Sequence, residues 1–170
     1  MTPTRTASPA TVVRTDDGVT LSFERSYDVP RDTVWRALTD PAQLAEWLDR
    51  ADVDLRVGGE FVVHFDDGEM RGRITQLQSS RTLAYSWHEG QLGESHVRWE
   101  LKDQPDGGTT VHLTHVRLRT ESATGFAAGW HHHLERLDGV LLGGPREWNA
   151  ERFQELMSMY GQGTHSSADT

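Results

Sequence analysis

The residues that could do chemistry here are two groups of histidines, one buried-face tyrosine and an excess of indoles. His115 alternates with Thr114 on a segment that also carries Val111 and Leu113, so its imidazole falls on the apolar face of a strand. Such a group is either a core histidine bonded to its neighbours or a polar group aimed into a cavity. In a cavity it could orient a guest or exchange a proton near neutrality. Tyr85 sits between Leu83 and Trp87 on a similar face, and its hydroxyl needs a partner once buried. His115, with Tyr85 as helper, is the acid–base candidate. Trp87 and Trp99 also lie on apolar strand faces, whereas Trp35, Trp47 and Trp130 lie on helical segments. Each indole is either core or a cavity wall with one N–H donor. His131, His132 and His133 resemble a metal cluster in composition only. Successive residues of a helix point about 100° apart, so the three cannot face one ion. Sharing a site with His88, His96 or His112 is conceivable, but no HExxH-type spacing is present, and no metal and no cofactor are assigned.

Several function classes are excluded or disfavoured by what is missing. There is no cysteine, hence no thiol nucleophile, no disulfide framework and no thiolate metal site, a composition suited to a reducing cytoplasm. No phosphate loop, nucleophile elbow or dinucleotide fingerprint occurs, and Gly58-Gly59-Glu60 reads as a turn. Asp16-Asp17 and Asp66-Asp67 read as turn carboxylates. A net charge of −9 argues against nucleic acid and against an anionic membrane surface. No apolar run approaches the roughly 20 residues of a membrane span. Lys102 is the single lysine among many arginines, which reads as the codon bias of a GC-rich bacterial genome.

The elements that must position these groups follow from periodicity. Residues 1–18 are expected to be a disordered leader. Val19, Leu21, Phe23 and Arg25 alternate with polar residues as a strand, expected to leave the core at Arg25. Pro30–Leu38 and the segment from Pro41 through Leu44, Trp47 and Leu48 read as two short helices with a tight joint at Thr39-Asp40-Pro41. A meander follows: a short strand at Val53–Val57, then strands around Phe61–Phe65, Met70–Ile74, Leu83–Trp87, Val97–Leu101 and Val111–His115. Turns at Asp66-Asp67-Gly68, Ser79-Ser80 and Pro105–Gly108 separate the later ones. Phe126, Trp130, Leu134, Leu137 and Leu141 then mark one long amphipathic helix of roughly five turns. Gly143-Gly144-Pro145 stops it, a short helical extension occupies 143–160, and 161–170 is expected to be a disordered tail.

One strand, two short helices, a long meander and a final helix imply an α+β helix-grip fold over residues 19–142: a curved antiparallel sheet wrapped around the long C-terminal helix. Val29-Pro30, Val34–Pro41, Leu44, Trp47, Gly58–Phe61, Gly72, Leu83, Trp87, Gly108-Thr109, Leu113, His115, Gly129-Trp130, Leu134 and Leu137 resemble the homologues of the heat-shock protein 90 ATPase activator. That family lies in the SRPBCC, START-like or birch-pollen-allergen-like superfamily. The resemblance implies a cavity between sheet and helix. Bacterial single-domain relatives look like small-molecule binders, stress- or efflux-linked accessory proteins, or domains without an assigned role. The eukaryotic activators carry a separate chaperone-contacting N-terminal domain, for which about 18 residues before the first strand are too few. In the register above, the cavity wall is Phe61, Val63, Ile74, Tyr85, Trp87, Val97, Trp99, Val111, Leu113 and His115, with Trp130 from the helix. The leading expectation is a non-catalytic, cytoplasmic module binding an apolar small molecule, for which a homodimer is an allowed assembly. A cyclase- or hydrolase-like enzyme using His115 is the first alternative, and a chaperone-linked interaction domain the second.

Overall fold

The computed structural model describes residues 8–88 and 93–166. Eight strands form one antiparallel sheet: β1 (Thr11–Thr15), β2 (Gly18–Tyr27), β3 (Arg50–Val53), β4 (Glu60–Phe65), β5 (Gly68–Gln78), β6 (Thr82–His88), β7 (Glu94–Asp103) and β8 (Thr109–Leu118). Their spatial order is β1-β2-β8-β7-β6-β5-β4-β3, so β3 to β8 are a continuous meander and β2 closes onto its end. Helices α1 (Arg31–Thr39) and α2 (Pro41–Trp47) lie between β2 and β3, and a 3₁₀ turn, Thr120–Ser122, leads into α3 (Ala123–Leu142). At 1.5 Å per residue, the 20 residues of α3 span about 30 Å, enough to cross the sheet. The fold is the helix grip.

Alternation decides which face is covered. Leu83, Tyr85 and Trp87 on β6, Val97, Trp99 and Leu101 on β7, and Val111, Leu113 and His115 on β8 all point inward and are buried. Ala127 and Ala128 let α3 settle close to them. The joint between α1 and α2 is pinned by the Asp40 side chain, which accepts from Ala42 N–H (3.1 Å), and by Trp47 Nε1–H, which donates to the Ala37 carbonyl (2.7 Å). The sheet curves at β5. The pairing of β5 with β6 shifts register between Ile74 and Gln76, and a Cβ on Gly72 would stand 2.0 Å from the Ser86 carbonyl oxygen.

Four expectations are revised. The segment expected as leader contains β1, an edge strand hairpinned to β2 through Asp16-Asp17, while the part of that expectation covering residues 1–7 lies outside the described residues. The third strand is Arg50–Val53 rather than Val53–Val57, because Leu55 and Val57 are exposed in a loop with no strand partner. Arg25 does not leave the core. It is 8% exposed, its guanidinium lies 5.5 Å from the Phe23 ring, and Nη1 donates to the Glu24 carbonyl. Finally, the C-terminal extension is a 17-residue helix, α4 (Ala150–Ser166), running into the expected tail, of which 167–170 lie outside the described residues.

The extension returns to α3 through a glycine. A Cβ on Gly139 would meet the Pro145 carbonyl oxygen at 2.1 Å, and the Gly139 carbonyl accepts from both Gly143 and Gly144 N–H (3.1 Å each). The loop therefore folds back on the helix and carries Trp148 with it.

Candidate functional site

A cleft of about 830 Å³ opens between the front of α3, the β4–β5 hairpin and the returning extension. That volume lies in the range of small-molecule sites. One wall exists because of what α3 lacks. Gly125, Gly129, His133 and Arg136 follow one another at helical spacing and all line the cleft. Among the described residues, an added Cβ at Gly125 or Gly129 would meet no heavy atom within 4 Å beyond its own turn of helix, so this stripe is an open notch along the helix. The remaining walls are aromatic. Trp87 and Trp130 form the floor with ring centroids 5.4 Å apart, and Phe126 meets Trp87 edge-on at 6.1 Å. Phe65 comes from the hairpin, 6.2 Å from Trp87 and 6.2 Å from His133. Trp148 closes the far side against His133 (5.1 Å) and Phe153 (5.2 Å), with Met157 behind them.

The polar groups of the cleft are sharply divided. His133 Nδ1 lies 3.1 Å from the Trp47 carbonyl, an acceptor, and 3.2 Å from Arg136 Nη1, a donor. Burial, and then the nearby Arg136 charge, press the His133 pKa down to about 3 against the opposing effect of the Trp47 carbonyl, so the ring is neutral at pH 7. Arg136 is held in place: Nε donates to the Arg146 carbonyl (2.6 Å) and Nη1 to the Leu48 carbonyl (3.3 Å). Asp49, Asp66, Asp67 and Glu121 stand on the rim.

The profile of the activator of Hsp90 ATPase homolog 1-like proteins matches residues 28–141. The chain belongs to that family. This AHSA1-like chain is similar to CalU16 of Micromonospora echinospora at 25% identity, with a TM-score of 0.73, over 92% of this chain and 96% of that one. A Bordetella parapertussis protein matches at 26% identity and a TM-score of 0.72, over 92% of this chain and 91% of its own. An HSP90 activator from Plasmodium falciparum shares the fold at 23% identity and a TM-score of 0.64, over 75% of this chain but 99% of its own. No curated protein matches. The family match stops at residue 141, before Trp148, Phe153 and Met157, so the AHSA1-like core supplies the floor and the extension supplies the closing wall.

Of the eleven residues read from the sequence as a cavity wall, Trp87 and Trp130 line this cleft. The other nine, Phe61, Val63, Ile74, Tyr85, Val97, Trp99, Val111, Leu113 and His115, are at most 2% exposed and pack into the core. Phe61 stacks on Tyr85 at 4.1 Å, and the Tyr85 hydroxyl accepts from Trp99 Nε1–H (3.1 Å). Burial raises the Tyr85 pKa further above its ordinary value.

His115 is wholly engaged. Trp130 Nε1–H, a group that can only donate, gives its hydrogen bond to Nδ1 (2.9 Å). The ring proton therefore sits on Nε2, which donates to Ser95 Oγ (2.7 Å). Burial, and then His96, hold the His115 pKa at about 3. This neutral chain ties α3 to β8 and β7 and leaves His115 with neither a free proton nor a free lone pair.

The three consecutive histidines go to three different partners. His131 Nδ1 pairs with the Tyr160 hydroxyl (2.7 Å), His132 Nδ1 donates to Glu135 (3.1 Å), and His133 turns to Trp47. Among the described residues no group of three or more His, Asp or Glu side chains could hold a metal ion, and no helix is long and apolar enough to cross a membrane. What the sequence reading missed is the glycine stripe. Two glycines one turn apart inside a helix each cost about 1 kcal/mol, and that unexplained cost is the signal that could have found it.

Proposed function

We propose that this chain binds an apolar, aromatic-bodied small molecule in the cleft between α3, the β4–β5 hairpin and the C-terminal extension. One observation carries the reading: α3 keeps Gly125 and Gly129 on a stripe where any side chain would enter open space, facing a floor of Trp87, Trp130 and Phe126. Glycine inside a helix is destabilising. Here it leaves room for a guest. The neighbouring interior is packed with aromatic contacts, so the guest sits beside the grip rather than between sheet and helix. The function is binding rather than catalysis by His115, whose two nitrogens are already bonded.

A chaperone partner is the other reading, carried by the printed function of the Plasmodium falciparum neighbour. It has less support. That neighbour spans 75% of this chain, and Trp148, Phe153 and Met157, which finish the cleft, lie beyond the family-matched residues. Titration with dansylamide, a neutral aromatic probe, tests the binding reading. Excitation of Trp87 and Trp130 should produce saturable energy transfer to the dansyl group. A linear, non-saturating response would overturn it.

A further inference from the structure

The charges around the cleft select among guests. Four carboxylates line it, Asp49, Asp66, Asp67 and Glu121, against one cation, Arg136. That cation is partly engaged: Nε and Nη1 donate to the carbonyls of Arg146 and Leu48, and Asp49 and Glu147 both lie close enough to act on its charge. The first turn of α3 also faces the cleft through Thr124 and Gly125, and a helix start carries about half a positive charge. Glu121 stands at that same end and offsets it. His133 contributes a neutral ring and no charge. An anion entering this cleft would find a single guanidinium, already engaged through Nε and Nη1, and three more formal negative than positive charges among the lining residues.

From this we infer that the preferred guest is a cation: an aromatic or polycyclic body bearing a protonated amine, the body on Trp87, Trp130 and Phe126 and the ammonium toward Asp66, Asp67 and Glu121. The inference rests on the binding reading above and narrows it. Aromatic faces add to the preference, because an ammonium near an indole is attracted by the ring quadrupole. The rim carboxylates are solvated, so the preference is moderate and sensitive to salt. On the order of tenfold is expected at low ionic strength, shrinking as the screening length falls from about 30 Å at 0.01 M to about 3 Å at 1 M.

Three probes of one shape separate the outcomes: dansylcadaverine, which ends in an ammonium; its N-acetyl derivative, which is neutral; and dansyl-6-aminohexanoic acid, which ends in a carboxylate. Each is titrated into the full chain at low and high salt, with energy transfer from tryptophan as the readout. The expected order of affinity is ammonium, then neutral, then carboxylate, with the first two converging at high salt. In Asp66→Asn/Asp67→Asn and in Glu121→Gln the ammonium probe should lose several-fold in affinity while the neutral probe is unchanged. Asparagine keeps the turn chemistry of the hairpin, and an unaltered thermal midpoint checks that the fold survives. If no probe binds, the binding reading itself fails. If all three bind equally, or the carboxylate binds best, the binding reading stands and the cation preference is overturned.

Discussion

Filling the notch on α3 should make the protein more stable and less able to bind. Gly129→Ala and Gly129→Leu both replace an interior helical glycine with a strong helix former, a gain of about 0.7–1 kcal/mol. Neither meets an obstacle at Cβ among the described residues, of which no heavy atom outside the helix's own turn lies within 4 Å of that position. For a chain of 170 residues a gain of this size corresponds to a thermal midpoint about 2–4 °C higher. Binding should move the other way and in proportion to side-chain size. Alanine adds one methyl to the wall and should weaken dansylamide a few-fold. Leucine projects across the floor between Trp87 and Trp130 and should weaken it at least tenfold. Circular dichroism melting and fluorescence titration on the same samples read both effects. A general loss of fold would lower stability and affinity together, so the opposite signs identify a steric block. A leucine variant that melts higher and binds dansylamide as the parent does would show that the guest lies elsewhere. One that melts lower would show that the notch is not open.

Three other perturbations follow from the packing. His115, His131 and His133 are held neutral, with pKa values of about 3, 4 and 3 against about 6.5 when unfolded. A depressed histidine pKa means that the unfolded chain takes up protons first. Their contribution is therefore complete above pH 6.5 and is lost as pH falls toward 4, at about 1.4 kcal/mol per pH unit for each ring. Urea midpoints measured from pH 7.5 to 4.5 should fall steeply below pH 6, and His115→Asn should flatten the curve. Gly139→Ala drives a Cβ into the Pro145 carbonyl, so the return loop must shift at a cost of about 1–3 kcal/mol, with Trp148 emission moving to the red as its packing on His132 and His133 loosens. Arg25→Met should be neutral or stabilising by about 1 kcal/mol in urea unfolding, because Arg25 Nε and Nη2 are buried without hydrogen-bond partners among the described residues; a loss above 2 kcal/mol would mean the guanidinium is satisfied in solution.

The order of elements was legible because each is announced by a change of period or by turn chemistry. Pro30, Asp40-Pro41 and Asp66-Asp67-Gly68 sit where the chain changes direction. β1 escaped because no face of it is buried: Val13 is 46% exposed and Val12 only half-buried, so an edge strand left no alternation to read. The inward register of Trp87, Trp99 and His115 follows from strict alternation, and all three rings reach Trp130. Whether an inward ring is core or cavity wall is a different question. It depends on how closely α3 approaches the sheet, to which Ala127 and Ala128 contribute from about 12 to 40 residues further along the chain. The cleft depended on two further non-local facts: the notch at Gly125 and Gly129 meets no neighbour, and Gly139 lets the loop carry Trp148 back over it. Local pattern contains neither.

The closure of β2 onto β8 has a consequence for how the protein is made. Tyr27 pairs with Thr109 and Val19 with Leu118, so the first long strand has no neighbour on that side until more than eighty further residues have been synthesised. At about 5–20 residues per second, a growing chain leaves Val19, Leu21 and Phe23 without their β8 partners for roughly 5–20 s. During that interval β1 offers its only ready-made partner, through the short turn at Asp16-Asp17. The N-terminal hairpin thus covers one edge of β2 during translation while the edge that β8 will take stays open, and a chain lacking Thr11–Thr15, with both edges open, would reach its folded state with a lower yield than its stability alone accounts for.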